Sequence, residues 1–266
     1  MRWTGCAMEF EAMEIKYTMQ GALIYATLAC FALTALSARF RFFALFFWGA
    51  GFVCAIFSVI YRALVAGHAP MQNLFEFFLC MAVMFAPLSH LTWRRYGIDT
   101  LRQDALLGLL VLFPAGFVFS EALRPLPPAL QSPFFVPHVG AYVSAYVLLA
   151  RATIMAWPLR NTVSEVRYAA VRESVAVGFA LLTAGLLLGS VWGQYCWGAY
   201  WAWDPKEMWS LATWFVYAAC FHLWIRPGAF RGKAIFSMLV SGIAMIVLTL
   251  TWINLSRLFG GMHNYA

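Results

Sequence analysis

Half of the tryptophans in this chain lie in one short stretch. Six of the twelve fall within residues 192–214, and the densest part is residues 192–209. Indole rings offer large apolar faces and an N–H group that can reach a polar atom, which suits a flat, largely apolar ligand such as a porphyrin. Tryptophan is also enriched at membrane interfaces as an anchoring belt, but a belt does not explain the contiguous aromatic run Trp197–Asp204.

Two histidines could complete such a site. His138 and His263 each lie beside an apolar segment, and two neutral imidazoles can fill both axial positions of haem iron. Lys206 or Arg257 could pair with the propionates of the same ligand. A single histidine at a membrane interface is more often structural than a ligand, so both interpretations stay open for each of the two.

The residues that follow the aromatic run have a structural interpretation of their own. Asp204, Pro205, Lys206 and Glu207 match the N-cap and the first three positions of a helix. Aspartate is favoured at the cap, proline at the first position and glutamate at the third. The sequence therefore predicts that a helix begins here, and contact between Asp204 and a ligand is still possible.

The composition excludes most soluble classes of protein. Of the 266 residues, 63% are hydrophobic and 11% are charged, whereas a soluble domain carries about 25% charged residues. The formal charge of +7 comes from basic residues scattered between apolar runs, which is typical of membrane orientation and not of a nucleic-acid-binding face. The six cysteines form no metal-binding spacing.

The apolar runs predict about eight transmembrane helices in a single all-α domain over residues 1–266. A spanning helix needs about 20 largely apolar residues, and the fourth run is the shortest. The aromatic run then forms an external loop at about 192–208. The predicted spans are Met19–Ala38, Phe43–Tyr61, Asn73–Leu91, Ala105–Ser120, Val139–Trp157, Ser174–Val191, Met208–Ile225 and Ile235–Ile253.

The basic residues predict the orientation of this bundle. If both termini lie outside, the inner segments carry twelve of the eighteen basic residues, Arg151 among them, and the outer segments carry six, including Arg62. Basic residues concentrate on the cytoplasmic side of membrane proteins. Both termini are therefore predicted outside, together with the aromatic loop, His138 and His263.

Several motifs resemble those of one family. The run Trp197–Asp204, followed by Pro205-Lys206-Glu207, resembles the tryptophan-rich WWD signature of haem-handling proteins. Within that group the chain resembles the CcsA family, a subunit of the system II cytochrome c synthase, over roughly its last three quarters. The segments that match further motifs of this family are Gly67-His68-Ala69-Pro70 with Asn73-Leu74-Phe75-Glu76, Leu130-Gln131-Ser132 leading to His138-Val139, and Gly261-Met262-His263-Asn264-Tyr265.

The resemblance implies a set of site residues. It makes His138 and His263 the axial ligands of haem b, held against Trp192, Trp197, Trp201, Trp203 and Asp204. It also matches His222 to a transmembrane histidine that completes an inner haem site with a CcsB partner subunit. Along a helix with a rise of 1.5 Å per residue, His222 lies about 25–30 Å from Asp204, so it cannot ligate the same iron.

The function that this resemblance implies is haem transport and presentation by a cytochrome c synthase subunit in the bacterial inner membrane. An apocytochrome c with a Cys-x-x-Cys-His segment would approach from the periplasmic side, and no general acid or base stands out. Two alternatives stay open. One is a system I-type protein that hands haem to a chaperone, although that relative resembles a six-span design. The other is a transporter without haem, with an aromatic interfacial belt.

Three ionisable residues have simpler interpretations. We expect His90 to extend toward the membrane surface and His68 to be structural. Glu76, at the predicted start of helix three, complements the helix dipole, and a functional role near the site is open.

Overall fold

The structure is a computed structural model and describes residues 15–225 and 231–252. In these residues it contains eight α-helices and no strand, which confirms the all-α prediction. The helices are α1 (Met19–Leu36), α2 (Arg41–Ala66), α3 (Leu74–Tyr96), α4 (Leu101–Phe117), α5 (Phe135–Ala156), α6 (Glu165–Trp197), α7 (Pro205–Ile225) and α8 (Arg231–Val247). A π-helical segment, Leu248–Trp252, continues α8, and short 3-10 turns cover Pro128–Gln131 and Trp157–Arg160.

The described helices include seven that are long and apolar enough to cross a membrane. The eighth, α4, has 17 residues and a length of about 25 Å, against a hydrocarbon core of about 30 Å. It is the helix predicted to be shortest. The chain is therefore a multi-pass membrane protein with a helical bundle.

Helix α6 is longer than the sequence predicts. It spans 33 residues and ends where Gly198 adopts a left-handed conformation (φ +78°) and donates its N–H to the carbonyl of Gln194, a common way to terminate a helix. Trp192 and Trp197 therefore lie on a helix. The external loop predicted at about 192–208 is corrected to the non-helical residues 198–204.

Glycines allow α5 and α6 to approach closely. A Cβ atom at Gly178 would lie 2.8 Å from Cγ of Leu149, and a Cβ at Gly185 would lie 2.8 Å from the ring of Tyr142. Small residues allow membrane helices to pack backbone to side chain in this way. The contact brings the start of α5 against the last turns of α6.

Two buried ion pairs connect α2 with α3 and α4 with α5. Nε of Arg62 on α2 lies 2.8 Å from Oε1 of Glu76 on α3, and Nε of Arg151 on α5 lies 2.8 Å from Oδ1 of Asp104 on α4. Both arginines are buried and belong to helices, so the prediction that they are loop charges is wrong. Without them the predicted inner segments keep eleven basic residues and the outer segments five.

Candidate functional site

A cavity of about 220 Å³ lies at the end of the bundle where α6 ends and α7 begins, which we call the tryptophan-rich end. Its walls come from seven parts of the chain. Four belong to α-helices: the residues before and in the first turn of α3, the first three turns of α5, the last turns of α6 and the start of α7. The other three are the 3-10 turn before α5, the loop between α6 and α7, and the π-helical segment after α8. Parts of the chain that are distant in sequence therefore meet at one apolar and aromatic pocket.

His138 forms one wall of this cavity from the first turn of α5. Its Nδ1 atom lies 2.8 Å from the carbonyl oxygen of Gly185 on α6. A carbonyl oxygen can only accept a hydrogen bond, so Nδ1 carries the proton and the lone pair of the neutral imidazole is on Nε2. The ring lies 5.5 Å from that of Trp192 and meets Tyr142 edge to face at 5.1 Å, between centroids.

Trp192 forms the adjacent wall. Its side chain is 3% exposed, and its indole N–H donates to the carbonyl oxygen of Ala129 at 2.9 Å. Trp197 packs against it edge to face, with ring centroids 4.9 Å apart. The indole is thus fixed both by the turn that precedes α5 and by a second tryptophan one helical turn further on.

The loop between α6 and α7 places its two tryptophans differently. Trp201 is half-buried and lines the cavity, whereas Trp203 is 68% exposed. Their ring centroids are 6.1 Å apart and the rings are nearly perpendicular. One indole of the motif therefore contributes to the cavity wall, and the other is presented to the surroundings.

Asp204 caps α7 as predicted. The carboxylate is buried, and its Oδ1 accepts the N–H of Lys206 at 2.9 Å. The side chain of Glu207 returns to accept the N–H of Asp204 at 3.1 Å. Glu207, at the third helical position, thus bonds back to the cap as in a capping box, and the cap carboxylate bonds the amide of the second position. Together they start α7 directly beside the cavity.

The other histidines and Arg257 lie apart from this cavity or beyond the described residues. His222 is exposed near the far end of α7, 17 residues and about 26 Å from Pro205 along the helix axis. His263 and Arg257 lie outside the described residues. His90 is exposed on α3, and Nδ1 of His68 lies 2.9 Å from the carbonyl oxygen of Ala69, in line with a local structural contact.

Sequence reasoning missed the glycines that hold His138. A Cβ atom at Gly189 would lie 2.6 Å from Cε1 of the imidazole, and Gly185 supplies the carbonyl that orients the ring. The signal was present, because Gly185 and Gly189 form a Gly-x-x-x-Gly pattern in an apolar helix. Lys206 and Glu207 also line the cavity, which connects the helix cap to the site.

Comparison with known proteins identifies the class to which this membrane bundle belongs. The family model described as "Cytochrome C assembly protein" matches residues 36–263. The chain belongs to that family and takes part in cytochrome c maturation.

Curated relatives and one solved structure agree with this family. The chain is 27% identical over 250 residues to the cytochrome c biogenesis protein CcsA of Prochlorococcus marinus (strain MIT 9301), covering 78% of this chain and 79% of the relative. It is 29% identical over 256 residues to CcsA of Synechococcus sp. (strain CC9311), covering 78% and 83%. These matches confirm the resemblance to the CcsA family.

The fold is also similar to that of "Cytochrome c Heme Lyase CcmF", with a TM-score of 0.69 and 18% identity. The alignment covers 90% of this chain and 48% of that one, so the chain spans about half the length of the lyase. At this identity the likeness concerns the fold.

Proposed function

We propose that this chain binds haem b in the cavity at the tryptophan-rich end and presents it to apocytochrome c, as the haem-handling subunit of a cytochrome c synthase. One observation carries the proposal. The backbone carbonyl of Gly185 fixes the tautomer of His138 that has its lone pair on Nε2, in a cavity walled by Trp192 and Trp201. An imidazole oriented through its second nitrogen is the usual arrangement of a histidine that ligates a metal.

The residues present fit haem in their chemistry. Aromatic rings supply apolar faces for the macrocycle, and Lys206, in the cavity wall, supplies a cation for a propionate. The cavity of about 220 Å³ is smaller than the about 300–1,000 Å³ of typical ligand pockets. A porphyrin bound here would extend past the walls formed by the described residues, and we propose that its outer edge is accessible to another protein.

An accessible edge suits thioether formation. Each cysteine thiol of the Cys-x-x-Cys-His segment adds across one haem vinyl group, with a new S–C bond at one vinyl carbon and the thiol hydrogen on the other. The addition needs no oxidant and has no leaving group. The protein contributes binding, orientation and exclusion of water from the ligand side, since the reactivity belongs to haem and thiols.

Two further histidines are proposed to ligate haem iron at different stages of haem passage. His263 is the second axial ligand proposed at the tryptophan-rich end. His222, exposed near the opposite end of α7, is proposed to complete an inner haem site with a histidine from a CcsB-like partner. A charged or polar group exposed in a spanning helix is costly unless it meets a partner, and the exposure of His222 is in line with contact to a second subunit.

The orientation of the bundle is part of the proposal. The remaining excess of basic residues, eleven against five, supports a position of the tryptophan-rich end on the periplasmic side of the bacterial inner membrane. Haem would reach the cavity from the cytoplasmic side, where His222 lies, and meet apocytochrome c outside.

Two alternatives have less support. A system I-type protein that hands haem to a chaperone resembles a six-span design, whereas seven described helices are long and apolar enough to span and α4 is slightly shorter. A transporter without haem does not account for membership of a cytochrome c assembly family.

Absorption spectroscopy of the purified protein tests the proposal. We expect low-spin, six-coordinate haem in the wild type, and five-coordinate or lost haem in His138→Gly and in His263→Gly, with partial recovery on adding imidazole. His90→Gly is the matched control, because His90 is also a helical histidine but is exposed on α3. Wild-type spectra from both site variants would rule these residues out as ligands, and a wild-type protein without haem would contradict the proposed function.

A further inference from the structure

Trp203 has an unusual backbone conformation. Its φ is +59°, and in the part of the chain that the structure describes it is the single non-glycine residue with positive φ. A bulky side chain in the left-handed region is strained, and such strain persists only where the surroundings impose it. The neighbouring left-handed residue, Gly198, has no side chain and therefore no such cost.

The carboxylate of Glu207 accepts hydrogen bonds from the amides on both sides of Trp203. Its Oε2 atom accepts the N–H of Ala202 at 2.9 Å and the N–H of Asp204 at 3.1 Å. These two amides flank Trp203, and both converge on one oxygen. Backbone amides around a left-handed residue form a concave site for an anion, and here the anion is a side chain from the first turn of α7.

The two loop tryptophans lie on either side of this bend. With the backbone bent at Trp203, Trp201 lines the cavity and Trp203 is 68% exposed beside it. A regular extended or helical conformation at residue 203 would change the relative direction of the two indoles. Glu207 also lines the cavity, so the group that bends the loop belongs to the same wall.

We propose that Glu207 is a positioning residue that holds the loop at residues 202–204 in its bent form, and thereby keeps Trp201 in the haem-facing wall. This inference rests on the proposed function and goes beyond the capping role of Glu207. A glutamate at this helix position would satisfy the cap with one hydrogen bond to Asp204. The second hydrogen bond, to Ala202, serves the loop.

The loop itself can be tested without haem. We expect Glu207→Ala to accelerate hydrogen exchange of the amides of Ala202 and Asp204 in the haem-free, full-length protein. Glu165→Ala is the matched control, because Glu165 is also an acidic residue in the first turn of a helix, at α6. Unchanged exchange in Glu207→Ala would overturn the inference, whatever the haem measurements show.

Three replacements separate the bend from the charge of Glu207. Titrating ferric haem into the haem-free protein, we expect Glu207→Ala to weaken binding by roughly tenfold, the size of one charge-assisted contact or one strained residue. Glu207→Asp keeps the charge but is one methylene too short, so it should behave like alanine. Glu207→Gln keeps the length and one acceptor oxygen and should give an intermediate loss. If Glu207→Asp keeps the wild-type affinity for haem, the negative charge at residue 207 matters and the position of its carboxylate does not, so the inference fails.

A double-mutant cycle supplies the decisive measurement. Trp203→Gly removes the strain, since glycine adopts positive φ readily. In that background Glu207→Ala should weaken haem binding by less than about threefold, because the two residues act through the same bend. An unchanged tenfold effect would show that Glu207 acts independently of Trp203 and would contradict the proposal. A wild-type protein that binds no haem, but whose loop amides depend on Glu207, would instead disprove the proposed function alone.

Discussion

His138 and Gly185 are joined by a hydrogen bond of 2.8 Å between the imidazole Nδ1 and a main-chain carbonyl oxygen. The acceptor is a backbone atom of α6, so it has no rotamer of its own that could release the ring. Because Gly189 lies one helical turn further on and lacks a Cβ, the imidazole lies directly against the α6 backbone. The orientation of the proposed ligand therefore depends on how closely two helices approach.

Gly189→Ala should displace the imidazole of His138. The new methyl group would lie 2.6 Å from Cε1, well inside van der Waals contact, so the ring must move or α5 must shift. We expect a haem spectrum with five-coordinate character and haem binding weakened by roughly tenfold, the effect of a ligand misplaced by about 1 Å or less. Absorption spectra measure the coordination of the haem iron, and haem titration measures the affinity.

Gly140→Ala is the control for this replacement. Gly140 lies on α5 two residues after His138, and a Cβ there would meet open space. Its haem spectrum should match that of the wild type. If Gly189→Ala also leaves the spectrum and the affinity unchanged, the close approach of α6 does not orient His138.

Glu76→Gln should destabilise the bundle. It removes the carboxylate from Arg62, in a pair whose side chains are 5% and 1% exposed, and it also weakens the bond that Glu76 accepts from the Gln72 amide next to the cavity. Losing one partner of a buried pair costs about 3–5 kcal/mol. We expect a lower midpoint of thermal unfolding in detergent, and partial recovery in the double variant Arg62→Met, Glu76→Leu.

The exposed pair Arg41–Asp99 provides the comparison, because both of its side chains are 51% exposed. Asp99→Asn should shift the unfolding midpoint little, as exposed ion pairs contribute little to stability. Equal shifts in Asp99→Asn and Glu76→Gln would show that burial of the Arg62–Glu76 pair has no special role.

His222→Ala, in a complex with the partner subunit, should lower the haem content of the site at the tryptophan-rich end. The haem that is bound there should keep the wild-type axial spectrum, because His222 is about 26 Å away along α7. Haem content and spectra of the purified complex test this. Unchanged haem content and cytochrome c maturation would mean that His222 has no part in haem passage, and an altered spectrum would contradict the placement of α7.

We expect the single replacements Asn161→Cys and Leu123→Cys, each in a cysteine-free background, to lie on opposite sides of the membrane. Both positions are exposed, one between α5 and α6 and the other between α4 and α5. Since the excess of basic residues predicts that the first lies inside, a membrane-impermeant thiol reagent should label intact cells at position 123 only. Labelling of position 161 from outside would overturn the proposed orientation.

The sequence by itself determined the number of helices, the family and the start of α7. These features depend on local signals: apolar runs of about 20 residues, and the cap of Asp204 with Glu207 three residues later. It also predicted that His138 and the tryptophans share one end of the bundle, because alternation of the chain across a membrane decides which segments meet the same side.

Only the tertiary structure decided the contacts between helices. Arg62 and Glu76 are 14 residues apart and Arg151 and Asp104 are 47 apart, so no local pattern pairs them. The sequence alone therefore assigns the two arginines to loops, whereas the structure buries them in helices. The tautomer of His138 likewise depends on a carbonyl 47 residues away. Such contacts depend on how packed helices are rotated and how closely they approach. Small residues and side-chain shapes on both helices decide this together, so no local stretch of sequence encodes it.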